Sequence, residues 1–99
     1  MTFAPEALAH IDAIERRYHR LIQQAIDEQL SFTPERTTRN RKPLEQPAPF
    51  GSTWELRCGP HNQFRVFYEV ELTEATVHIL AIGVKGRNRL FIGGGEFRP

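Results

Sequence analysis

The stretch Phe64–Glu71, FRVFYEVE, constrains this chain more than any other. Side chains alternate across a strand, so Phe64, Val66, Tyr68 and Val70 fall on one face. Arg65, Phe67, Glu69 and Glu71 fall on the other. The run is β-branched and aromatic, with no glycine or proline, and therefore reads as a strand. Core packing accounts for the Val66 face. Arg65 fits less well, because it stands early in a good strand between two aromatics, where a solvated charge would be cheaper elsewhere.

The neighbouring segments supply partners. Residues 53–58, TWELRC, alternate Trp54, Leu56 and Cys58 against Thr53, Glu55 and Arg57. Residues 59–63, GPHNQ, are turn-forming, so this strand and FRVFYEVE form a hairpin. A five-residue loop puts Cys58 opposite Phe64 and Arg57 opposite Arg65. Residues 76–84, TVHILAIGV, are more continuously apolar and read as a central strand. RLFI at 89–92 reads as a short strand before the flexible Gly93–Gly95, and Thr2–Phe3 as a short first strand.

Upstream, the apolar residues recur at helical spacing through Leu8, Ile11, Ile14, Tyr18, Leu21, Ile22, Ile26 and Leu30. Pro5 suits a first helical turn, with Glu6 near its positive end. A single helix from Pro5 to Ser31 would be about 40 Å long, more than the roughly 34 Å diameter of a domain this size. The spacing therefore predicts two helices with a tight turn within Ala13–Arg17, the second closed by Pro34. Residues 33–53, with Pro34, Pro43, Pro47, Pro49 and Gly51, read as a long connection anchored by Leu44 and Phe50. The expected architecture is one α+β domain over residues 1–99, a helical hairpin packed on a three- to four-stranded antiparallel sheet.

The single cysteine, Cys58, excludes an internal disulfide and fits a reducing cytoplasm. No apolar run reaches the roughly 18 residues of a membrane span, and no signal-peptide core opens the chain. Net charge is only +1 but unevenly placed: −2 over residues 1–30, +3 over 31–65 and 0 over 66–99. Arg36, Arg39, Arg41 and Lys42 form one basic cluster, and Lys85, Arg87 and Arg89 a second. Such patches suit a polyanion such as RNA, or are simply solvated loops.

Arg57 and Arg65 fall on one face in any register that buries both apolar rows together. Like charges across a ladder are unfavourable, and Glu55 on the same face offsets this in part. A phosphate between the guanidinium groups would make the pair a site, whereas stacking on Phe67 would make it structural. Cys58 and His61 have C-x-x-H spacing without a second ligand pair, so no metal is expected. His10 and His19 read as surface residues, and His78 faces either side of its strand. Gly93–Gly95 precedes no helix and so is no dinucleotide loop, which leaves no cofactor implied.

Taken together, FAPEAL at 3–8, NRKPL at 40–44, WELR at 54–57, FRVFYEV at 64–70 and LAIGVKGRNRLFIGG at 80–94 resemble the RelE/ParE superfamily of type II toxins, on its RelE side. The resemblance implies two N-terminal helices on an antiparallel sheet and a cognate antitoxin partner. It further implies metal-independent cleavage of mRNA on the ribosome. Arg57, Arg65 and Lys85 match the family's basic catalytic positions, and Lys42 falls where some relatives carry an acidic base. Arg39, Arg41, Lys42, Arg87, Arg89 and Phe91 are the expected RNA contacts. Glu55 stands where some active members have lysine, and Phe91 where a tyrosine often assists. The base for 2′-hydroxyl attack stays open among Glu55, Lys85, Lys42, His61 and His78. The alternatives are a ParE-like inhibitor of DNA gyrase, an inactive antitoxin-binding relative, or a small RNA-binding module.

Overall fold

In the computed structural model, which describes residues 1–98, the chain opens with β1 (Thr2–Phe3), α1 (Pro5–Asp12) and α2 (His19–Leu30). The helical periodicity breaks at Ala13–Glu15, inside the predicted turn, and a 3₁₀ turn at Arg16–Tyr18 leads into α2. An unbroken helix would overrun the molecule, whose longest extent is 34 Å. His19 stitches the break, its Nε2 donating to the Ile14 carbonyl at 2.8 Å. The helices rest chiefly on the sheet, α1 against β5 (Thr76–Gly86) and α2 against β3 (Trp54–Cys58).

β2 (Arg41–Pro43), β3, β4 (Phe64–Glu71), β5, β6 (Arg89–Ile92) and β7 (Gly95–Phe97) form an antiparallel sheet in chain order. β1 adds to β5 in parallel, with Thr2 beside His78. The sheet thus has seven strands among the described residues, more than the three or four expected. β2 and β7 account for much of the excess. Each is three residues long, bounded by proline or glycine, and carries no alternating apolar pattern. Backbone pairing to an existing edge forms them, and that leaves no periodic trace.

On one face Ile22, Ile26 and Leu30 of α2 pack on Leu56, Val66 and Tyr68, which are all but inaccessible. Tyr68 donates its hydroxyl to the Pro34 carbonyl at 2.7 Å, tying the exit of α2 to the sheet. Arg41, expected to face RNA, is turned inward instead and is 6% exposed. Its Nη1 donates to the Gln29 and Thr33 carbonyls, both at 2.8 Å. The guanidinium thereby caps the last turn of α2, whose carbonyls have no partner within the helix.

The other face is not open. Phe67 is 2% exposed and Ala81 is buried, yet both lie outside the main core. On this side runs the second half of the long connection, a strap at Leu44–Ser52. Its 3₁₀ turn, Pro49–Gly51, lies against β5. Phe50 stacks on Phe97 at 6.3 Å and meets His10 edge-on at 5.2 Å. At the strap's ends, the Leu44 amide donates to Thr53, and Gln46 Nε2 donates to the carbonyl of buried Ser52.

His10, expected on the surface, is buried. β5 pairs with β1 up to Ile79 and with β6 only from Gly83, leaving a gap. The imidazole fills it, Nδ1 accepting the Ile82 amide at 3.3 Å.

Candidate functional site

The β3–β4 register is the one the hairpin arithmetic predicts: Cys58 opposite Phe64, Arg57 opposite Arg65, Glu55 opposite Phe67. The five-residue loop depends on Gly59, at φ 81°, where a Cβ would lie 2.4 Å from the Phe64 ring. Across β4, Arg65 stands opposite Gly83, so Lys85 lies on the same far face two residues on. Three of the four predicted catalytic residues, Arg57, Arg65 and Lys85, are thus brought to one side. Glu55 joins them.

The carboxylate changes what the arginines can do. Glu55 Oε1 accepts from Arg57 Nε at 3.0 Å and from Arg65 Nη1 at 3.4 Å. Arg65 also donates Nε to the Asn62 carbonyl at 3.0 Å. Glu55 is 6% exposed and Arg65 9%. Burial lowers the Arg65 pKa, Glu55 works against that shift, and Arg57 adds to it. One carboxylate between two guanidinium groups leaves a net charge of one. It converts the unfavourable arginine pair into a mostly satisfied polar knot.

The second basic cluster surrounds a two-residue turn. Arg87 and Asn88 have φ of 51° and 63°, the doubly left-handed pattern that matches strand twist in tight hairpins. Lys85, Arg87 and Arg89 are all exposed. Arg89 Nη1 lies 3.8 Å from Glu96, which pairs more closely with Arg98 at 2.8 Å. Phe91 sits opposite Val84, on the helix-side face, where it lines a pocket of about 450 Å³ with Arg87 and Arg89. It is therefore on the opposite side of the sheet from Arg57 and Arg65. Lys42 pairs opposite Glu55 on edge strand β2, and Arg39 is exposed in the loop before it.

Between the strap and the β6–β7 hairpin runs a groove of about 400 Å³, lined by Pro47, Ala48, Pro49, Leu90 and Phe97 with Lys85 and Arg89. The sequence hinted at it only through an unusually long proline-rich connection. Beside it, Gly83 lets β6 pack closely on β5, because a Cβ there would lie 2.9 Å from the Phe91 carbonyl and 3.0 Å from the Leu90 and Ile92 side chains. Burial pushes the Cys58 thiol up to about 11, which keeps it protonated and poor as a metal ligand. Among the described residues no three His, Cys, Asp or Glu side chains converge. Among the described residues no helix is long and apolar enough to cross a membrane.

Residues 1–89 match the family model described as the ParE toxin of the type II toxin–antitoxin system, parDE. No curated protein matches the chain.

Proposed function

We propose that this chain, which belongs to the ParE toxin family of type II toxin–antitoxin systems, arrests growth by binding DNA gyrase in the cytoplasm rather than by cutting mRNA. The observation that carries this reading is Glu55 held between Arg57 and Arg65. Cleavage through a 2′-hydroxyl needs a base, an acid and a phosphate-neutralising group. Here the arginine pair already holds a carboxylate, and guanidinium groups do not deprotonate at neutral pH. Phe91 offers no hydroxyl and lies on the other face. A protein-binding toxin needs none of these groups free.

The mRNA-endonuclease reading keeps one observation in its favour. Lys85 is exposed on the same face as Arg57 and Arg65, beside the Arg87 turn, where a strand of mRNA held by a ribosome would find cations. The two readings separate in one experiment. Purified toxin is added to gyrase with relaxed plasmid and, in parallel, to translating ribosomes with mRNA 5′ ends mapped. Loss of supercoiling with unchanged 5′ ends is expected. Discrete cuts within codons, abolished by Arg65→Ala, with gyrase unaffected, would sink the gyrase reading.

A further inference from the structure

The β5–β6 hairpin runs past its neighbours on both sides. On β4 its last partner pair is Phe64 with Val84, and the Lys85 amide makes one further bond to the Gln63 carbonyl at 2.7 Å. On β7 the pairing ends at Leu90 with Phe97. Gly86, Arg87, Asn88 and Arg89 therefore project as a two-stranded ribbon tip paired only to itself. A Cβ at Gly86 would meet no atom within 4 Å. The tip and its root carry Lys85, Arg87 and Arg89, all exposed. Among the described residues Lys85 and Arg87 have no carboxylate within ion-pair distance, and Arg89 shares Glu96 with Arg98, which lies closer. Charge is sorted along the same axis. Tyr18 packs on Phe64 at 5.0 Å, which brings exposed Arg16 to the basic end. Glu71 and Glu74 stand exposed at the β4–β5 turn, about 30 Å away along the eleven residues of β5. A polyanion is thus drawn to one end of the molecule and repelled from the other.

We infer that this ribbon tip enters the major groove of duplex DNA, with Lys85, Arg87 and Arg89 on the flanking phosphates. The toxin then engages gyrase on its DNA rather than gyrase alone, a consequence that rests on the gyrase reading above. The major groove of B-form DNA, about 12 Å wide, admits a two-stranded ribbon. Arg87 and Asn88, at φ 51° and 63°, hold the turn to two residues and so keep the tip narrow. Arginine offers phosphate a bidentate partner. An RNA helix presents a deep, narrow major groove that side chains do not read, and a single strand is held by stacking on exposed aromatic rings. The tip has no aromatic residue, and Phe91 lies behind it on the helix-side face. An acidic protein segment would need apolar anchors, which Gly86, Arg87, Asn88 and Arg89 also fail to supply.

The test follows the fluorescence anisotropy of a labelled DNA duplex of about 20 base pairs titrated with the purified full-length toxin. Three phosphate contacts predict a loss of affinity of about fortyfold between 50 and 200 mM salt. Arg87→Gln and Lys85→Gln, both at exposed positions, should each weaken binding about tenfold at the lower salt and cut the salt effect to about twelvefold. Their urea midpoints should match wild type, since neither side chain is buried. Duplex whose major groove is filled by glucosylated 5-hydroxymethylcytosine should bind about tenfold more weakly, whereas a minor-groove ligand should not displace the toxin. Wild-type affinity in both variants overturns the inference. So does a single-stranded RNA of the same length that binds more tightly than the duplex and loses as much to Arg87→Gln. Supercoiling assays on the same variants separate this contact from the gyrase reading. Variants that lose the duplex yet inhibit gyrase like wild type overturn the engagement of gyrase on its DNA and leave the functional proposal standing. A toxin that binds the duplex through its tip and spares gyrase breaks the functional proposal and leaves the DNA contact in place.

Discussion

The two faces of β4 carry alternate residues of one strand, and both are buried, but by different covers. Val66 and Tyr68 lie under α1 and α2, whose own apolar residues pack with them, and the exit of α2 is pinned by Arg41 and Tyr68. Arg65 and Phe67 lie on the face that carries a nine-residue strap, held at its ends, at Ser52 and at Phe50. The first cover is regular helix, with its one open end closed by Arg41. The second leaves a charged knot half-enclosed and a groove beside it. Rigid burial on one side frees the other to carry the adaptable surface, the usual division between scaffold and functional loop.

The sharpest way to break this contrast is to weaken each cover in turn. Ile26→Ala, at a fully inaccessible site under α2, should cost about 3–4 kcal/mol, a large share of the roughly 5–15 kcal/mol typical of a small domain. Urea unfolding measures it. A loss under 1 kcal/mol would mean that the helical cover is not the rigid one.

Glu55→Ala should cost about 2–4 kcal/mol, because it strands Arg65 in a buried position. Adding Arg65→Met should recover most of that loss, and a double-mutant cycle reads the coupling directly. If the single variant is neutral, the far face is wetter and looser than its burial implies. Tyr68→Phe should cost about 1 kcal/mol through the lost Pro34 tether, with no change in gyrase inhibition.

The smallest effect concerns His10, which bridges the two covers through Ile82 and Phe50. Burial holds its pKa below the ordinary 6.5, and Glu6 pulls the other way. The unfolded chain therefore takes up a proton that the folded chain refuses. This contribution is complete above pH 6.5 and fades as pH falls through the lower folded value. Urea midpoints between pH 5 and 8 should slope in wild type and flatten in His10→Asn.

Much of the fold was legible from local pattern. The FRVFYEVE alternation, the Arg57–Arg65 register and the break near Ala13 all follow from side-chain period, loop length and molecular size. The Phe91 side chain, by contrast, is assigned its face by a two-residue turn at Arg87–Asn88, where Asn88 accepts positive φ readily but Arg87 does not advertise it. The candidate site was legible as a cluster of bases on one sheet face. That Glu55 would bridge both arginines was foreseen only as a partial offset.

Period, parity and loop length are short-range quantities, so the sequence alone determined which strands and helices form and which side chains share a face. Tertiary structure alone decided what covers each face. Arg41 reads as one more surface base until Gln29 and Thr33 are placed beside it. His10 reads as a surface residue until Ile82, 72 positions away, presents an unpaired amide. A charge or an imidazole is indifferent to its neighbours in sequence. Its burial depends on whether a distant backbone group lacks a hydrogen-bond partner, and only the assembled fold reveals that.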